Sequence, residues 1–94
     1  MRTINRSTAF KRDYKRIKAT PQDKKDIDSL LEAVLVLLLT DQVLPPSLRD
    51  HALTGDWVGF RDCHIKPDLV MIYAKPDANT LRLVRLGSHS ALFR

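Results

Sequence analysis

One stretch of this chain leaves few choices of architecture. Between Asp23 and Leu39, the residues Ile27, Leu30, Leu31, Val34, Leu35 and Leu38 recur at the i, i+3, i+4, i+7 spacing of a helix face. Ala33, Val36, Leu37 and Leu39 widen that stripe until its C-terminal half is apolar nearly all round. Such a helix needs cover on several sides, so the rest of the chain must supply a surface for it. The longest unbroken apolar run, Ala33 to Leu39, is far too short to cross a bilayer. No heptad is sustained, so the leucines read as core rather than as a zipper.

The cover is legible on both sides of that helix. From Thr8 to Ala19 the apolar residues Phe10, Tyr14 and Ile17 recur at helical spacing among charges, with Ser7 or Thr8 as N-cap. Thr20-Pro21 ends this first helix and starts the next, giving a helical hairpin. Pro45-Pro46 opens a loop that runs to about Trp57. Three strand-like runs follow, roughly Val58 to Ile65, Leu69 to Lys75 and Thr80 to Leu86. Lys66-Pro67 and Pro76-Asp77-Ala78-Asn79 separate them, and connections this short force antiparallel neighbours. Arg2 to Asn5 reads as a short edge strand. The expected fold class is therefore α+β, an N-terminal helical hairpin packed on a small, mostly antiparallel β-sheet. A single domain over residues 1–94 is expected, because a chain this short buries only about 60% of its unfolded surface.

Charge is segregated along the chain. Residues 1 to 25 carry nine basic side chains against only Asp13 and Asp23, whereas the remainder carries seven basic and nine acidic ones. Nearly all attraction for a polyanion thus comes from the first quarter, including Lys15 and Arg16. A solvated helix face accounts for the same pattern equally well. The lone cysteine, Cys63, excludes an internal disulfide framework and suits a reducing compartment. With no secretory pattern in residues 1 to 20, the expected setting is the cytoplasm, with no membrane partner.

Strand register says which side chains meet. If Pro76–Asn79 is a four-residue loop, Ile72 faces Leu83, Val70 faces Arg85 and Asp68 faces Gly87. If Ile65-Lys66-Pro67 is a three-residue loop, His64 faces Asp68, Asp62 faces Val70 and Phe60 faces Ile72. One sheet face then has an apolar end (Val58, Phe60, Ile72, Ala74, Leu81, Leu83) and a polar end. The polar end holds Asp62, His64, Asp68 and Arg85, with His89 just beyond. A one-residue slip would scatter the set.

Histidine exchanges protons near neutral pH, a carboxylate beside it favours the imidazolium, and an arginine holds an anionic transition state. Cleaving RNA needs these parts: a base for the 2′-hydroxyl, a cation for the phosphorane and an acid for the departing 5′-oxygen. No metal or cofactor is required, because the nucleophile is already in the substrate. Duller roles compete: Asp68 as a turn residue, Asp62 as an exposed strand charge, His64 bonded to a backbone carbonyl. A metal site built on Asp62, Cys63, His64, Asp68 and His89 is disfavoured, because Cys63 points away from its two neighbours and no CxxC or HExxH spacing occurs. A non-catalytic binding module is the rival reading; it needs the basic patch and is indifferent to the histidines.

The stretch from Asp50 to Asp68, DHALTGDWVGFRDCHIKPD, resembles the signature of YafQ-type toxins, within the RelE superfamily of bacterial toxin–antitoxin systems. Leu69 to Tyr73 continues the likeness, and the tail from Arg85 to Phe93 matches the family's closing pattern of Arg, Gly, Ser or Thr, His, then Leu-Phe. The resemblance implies a metal-independent mRNA endoribonuclease that acts on the translating ribosome and is neutralised by a cognate antitoxin. The toxin–antitoxin complex is expected to be a higher-order oligomer. By the same resemblance the catalytic positions fall on His51, His64, Asp68 and His89, with Asp62 and Phe93 also implicated. His89 is expected as general acid, His64 or His51 as base, Asp68 as their orienting partner and Arg85 as the phosphorane's cation. Phe93 is expected to stack on a base, and the basic first helix to meet ribosomal RNA or an acidic antitoxin. His51 lies in a loop that register arguments do not reach. Cys63 is expected to be a small buried filler.

Overall fold

The structure, a computed structural model, describes residues 1–93. Its elements run β1 (Thr3–Arg6), α1 (Thr8–Lys18), α2 (Ile27–Leu39), β2 (His51–Ala52), β3 (Arg61–Lys66), β4 (Leu69–Ala74), β5 (Thr80–Gly87) and α3 (His89–Leu92). Two 3-10 turns, Pro46–Leu48 and Gly55–Trp57, punctuate the loop before β3. The five strands form one sheet in the order β1-β5-β4-β3-β2, with β1 parallel to β5 and the other pairs antiparallel. The α+β class and the helical hairpin on a mostly antiparallel sheet are as expected.

Every residue of β4 is buried, as its unbroken Leu-Val-Met-Ile-Tyr-Ala run requires of a central strand covered on both faces. On one face Met71 and Tyr73 join Cys63, Leu83 and Leu86 beneath Phe10 and Ile17 of α1 and Ile27, Leu31 and Val34 of α2. On the other, Val70 and Ile72 meet Leu92 of α3, with Trp57, Phe60, Val84 and Phe93 around them. Each fully buried aliphatic side chain contributes about 2 kcal/mol relative to exposure. The sheet is thus shared by a helical layer and a thinner layer that carries the site.

Ser7 caps α1, accepting from the Phe10 N–H at 2.9 Å and donating to the Val84 carbonyl at 2.7 Å. The second helix starts at Ile27 rather than Asp23. Residues 21–26 form turns, and Asp23 and Asp26 give their carboxylates to Lys66 at 2.9 and 2.8 Å instead of capping the helix.

The expected register needs correction in three places. Strand β3 begins at Arg61, not Val58, because Gly55 and Gly59 adopt left-handed φ values of +63° and +92° around the 3-10 turn. Val58 is left 72% exposed, outside the apolar set. The β3–β4 turn is tighter than expected, with Lys66 opposite Leu69; a register irregularity between His64 and Lys66 then sets His64 against Val70 and Asp62 against Ile72, while Asp68 lies in the turn instead of facing His64. Finally, a β-bulge sets Val84 and Arg85 together against Ile72, between the Ile72–Arg85 and Tyr73–Leu83 pairs. Val84 packs with Ile72, Leu83 packs beneath the helices, and Arg85 reaches α1.

Candidate active site

Beyond the irregularity between His64 and Lys66, the net shift of β3 against β4 is two residues, and an even shift leaves side chains on the same face. Asp62 and His64 therefore still point away from Cys63, on the side of Val70 and Ile72. The short strand β2 adds a residue that register arguments could not place: His51 pairs directly with Asp62. Gly87 pairs with Val70, and Ser88 then caps the single turn of α3, accepting from the Ala91 N–H at 3.2 Å. This cap sets His89 at the first helical position and places Phe93 on the same side one turn later, ring centroids 4.8 Å apart. Leu92 fastens the turn to the sheet; a Cβ on Gly87 would lie 3.3 Å from its Cδ2, so a larger residue there would press on it.

Asp62 lies at the centre and is only 2% exposed. His51 Nδ1 lies 3.0 Å from its Oδ1, but the ring is aimed at the Arg49 carbonyl, 2.9 Å away. Asp62 Oδ1 is consequently buried without a hydrogen-bond partner among the described residues. Burial pushes this carboxyl above the usual carboxylate range, and the positive charge of His51, His64 and His89 works against that rise. All three imidazoles thus lie within electrostatic reach of one buried acid.

The hydrogen bonds fix which ring nitrogens are free. His64 Nδ1 lies 3.2 Å from the Pro67 carbonyl, just as His51 Nδ1 lies against that of Arg49. A carbonyl oxygen only accepts, so in each ring Nδ1 carries the hydrogen and the neutral form leaves the Nε2 lone pair free. Two proton acceptors of defined orientation result. The expectation that His64 would bond a backbone carbonyl and the expectation that it would serve chemistry are therefore compatible.

A second acid holds the loop that delivers His51. The Asp50 carboxylate accepts from the Tyr73 hydroxyl and from Arg61, Nη2 to Oδ2 at 3.0 Å. Burial and the Asp50 charge raise the Tyr73 hydroxyl well above its ordinary value, so it stays a donor. Sequence reasoning passed over this clamp, because nothing in the spacing ties Asp50 to a tyrosine two strands away.

Arg85 is not where the sequence register put it. Its Nε lies 2.7 Å from Asp13 Oδ2, and the same carboxylate accepts from Arg16 at 2.9 Å and from the Leu86 N–H at 3.0 Å. The bulge turns Arg85 to the helical layer, away from Asp62 and His64. Lys15 and Arg16 likewise lie on α1, across the sheet from the histidines, and Asp68 is exposed in the β3–β4 turn. Trp57 stands edge-on to Phe60 and Phe93, with centroids 5.6 and 6.5 Å away. Cys63 is fully buried, its thiol pushed up to about 12 by burial, as suits a filler.

A sequence model of the family described as "Bacterial toxin of type II toxin-antitoxin system, YafQ" matches residues 2–94. The chain belongs to the YafQ toxin family. It is 36% identical over 91 residues to the mRNA interferase toxin YafQ of Escherichia coli K12, covering 96% of this chain and 98% of that one. A copper-bound mutant toxin from Helicobacter pylori has the same fold, with a TM-score of 0.90 at 41% identity over 99% of this chain and 100% of the other. YafQ in the Escherichia coli DinJ–YafQ complex superposes with a TM-score of 0.82 at 34% identity over the full length of both chains. YafQ toxins thus share the arrangement of helical hairpin and sheet seen here. Among the described residues no helix is long and apolar enough to cross a membrane.

Proposed function

We propose that this YafQ-family chain is a ribosome-dependent mRNA endoribonuclease that cuts by acid–base catalysis, without a metal, and is held inactive by an antitoxin. The reading rests on one observation: three imidazoles lie within electrostatic reach of the buried Asp62, two of them with Nε2 left free. The likeness to a relative named mRNA interferase toxin supports the substrate class, and the likeness to YafQ in its complex with DinJ supports an antitoxin partner.

The chemistry follows from those lone pairs. Nε2 of His51 or His64 takes the proton of the RNA 2′-hydroxyl, whose oxygen forms a bond to phosphorus. The P–O5′ bond breaks as His89, in its imidazolium form, donates a proton to the departing oxygen. The products are a 2′,3′-cyclic phosphate and a free 5′-hydroxyl. Asp62 favours the charged state of the imidazole that has just gained a proton. The Phe93 ring, beside His89, offers a face for a base.

Substrate delivery uses a separate surface. Lys11, Arg12, Lys15 and Arg16 are exposed on α1, a charged face suited to ribosomal RNA on the layer opposite the histidines. For the antitoxin, a cleft of about 480 Å³ opens between β1, α1 and α2, lined by Ile4, Phe10, Leu31, Leu35 and Val36 with Arg6 at its rim. Asp28 and Glu32 also line it, and it is remote from the histidines and suits an apolar segment.

His89→Ala tests the reading. Cleavage of ribosome-bound mRNA should fall by about 10²–10⁴, growth arrest should be relieved, and circular dichroism should be unchanged. Wild-type cutting should persist in EDTA. Full cutting by His89→Ala, or its abolition by chelator, would overturn the proposed mechanism.

A further inference from the structure

With Arg85 committed to Asp13, the phosphate needs another cation, and the structure narrows the choice. Near the histidines, Arg61 is held by Asp50 and Lys66 by Asp23 and Asp26. Arg49 is exposed, and among the described residues no carboxylate partners its guanidinium. Its backbone is left-handed, with φ +50° and ψ +41°, at the end of the 3-10 turn that Pro45-Pro46 begins. Side chains other than glycine rarely adopt that conformation. The consequence is positional: the Arg49 carbonyl faces His51 Nδ1 at 2.9 Å, while the residue lines a cleft of about 430 Å³ together with His64 and Pro67. One residue therefore both sets the tautomer of one candidate base and borders the cleft of the other.

We infer that Arg49 is the cation that grips the RNA phosphate in this site, a catalytic role separate from its backbone contact to His51. This inference rests on the nuclease reading above. A guanidinium offers a planar fork matched to two non-bridging oxygens, and one without a carboxylate partner binds them without first breaking an ion pair. As attack proceeds those oxygens gain negative charge, so the contact strengthens toward the transition state.

Arg49→Gly removes the side chain while keeping the carbonyl and accommodating the left-handed backbone. The test measures cleavage of mRNA on programmed ribosomes by wild type, Arg49→Gly, Arg49→Lys and His89→Ala. It also uses messages carrying a single Rp or Sp phosphorothioate at the cut site. Arg49→Gly should lose about 100-fold or more in cleavage with Tm unchanged or higher. Arg49→Lys should recover an intermediate rate, and wild type's preference between the two phosphorothioates should disappear in Arg49→Gly. Cutting by Arg49→Gly within about twofold of wild type, an Arg49→Lys rate no better than that of glycine, or an undiminished thio preference would overturn the role of Arg49. The nuclease reading would survive any of these so long as wild type cuts and His89→Ala does not.

Discussion

Asp13 and Asp62 are equally buried, each 2% exposed, on opposite faces of one sheet, and they are treated in opposite ways. Asp13 is satisfied: two arginines and a backbone N–H converge on it, and together they outweigh burial and hold its carboxyl below the usual range. Asp62 keeps one oxygen without a hydrogen bond, and burial lifts its carboxyl above that range. A carboxylate with a full set of donors fastens a helix to a strand. One left short of donors, within electrostatic reach of three imidazoles, holds a proton more readily than an ordinary carboxylate. The first arrangement serves stability; the second suits the proton transfer of the proposed function.

Replacing each acid in turn is the direct way to break this contrast. Under the proposed function, Asp62→Asn should lower cleavage by at least ~10²-fold, because the site loses the buried acid that faces the proton-transferring groups. Its Tm should equal or exceed that of wild type, since a buried charge has been removed. A large loss of stability would instead make Asp62 a structural residue. Asp13→Ala should do the reverse, costing roughly 3 kcal/mol, near the low end for breaking a buried pair because Arg85 keeps part of its surface in water. Thermal unfolding should report that cost as a Tm lower by roughly 12–24 °C, while cleavage per folded molecule at low temperature stays within a few-fold. Inactivity of folded Asp13→Ala would erase the distinction between the two acids.

The smallest effect concerns pH and sharpens the contrast most. The raised carboxyl of Asp62 makes the folded chain bind that proton more tightly than the unfolded chain does. The destabilisation it causes is therefore present near neutrality and fades as pH falls through the raised value. Asp13 contributes in the opposite sense: its stabilisation is complete above the unfolded carboxylate value of about 3.9 and is lost as pH falls through the depressed folded one. The stability advantage of Asp62→Asn over wild type should accordingly shrink between pH 7 and pH 4. The disadvantage of Asp13→Ala should hold to about pH 4 and collapse only below it. Denaturant melts across that range read both; parallel profiles for the two variants would refute the contrast.

Much of the architecture was legible because periodicity and turn chemistry are local. Both helices, the edge strand and the meander follow from residue spacing and from the prolines at positions 45, 46, 67 and 76. Asp62 and His64 kept their facing because the net register error between β3 and β4 was even. The bulge was not legible, since Val84-Arg85 reads as ordinary alternation. Two residues cannot display a period, so β2 and the pairing of His51 escaped as well. Asp13 had a signal that charge counting hid: it sits at i+3 from Phe10 and i−4 from Ile17, inside the buried stripe of a basic helix. An acid in that position asks for a partner.

The seat of α3 has an evolutionary corollary under the proposed function. His89 rides on a single turn whose anchor, Leu92, packs within 3.3 Å of where a side chain on Gly87 would begin. Bacteria selected to survive expression of such a toxin need not alter any polar group. Enlarging Gly87 would press on Leu92 and trimming Leu92 would loosen it, and either change disturbs the seat of the proposed donor. Escape mutations should therefore accumulate in this small apolar latch, among residues that a search for reactive side chains would overlook.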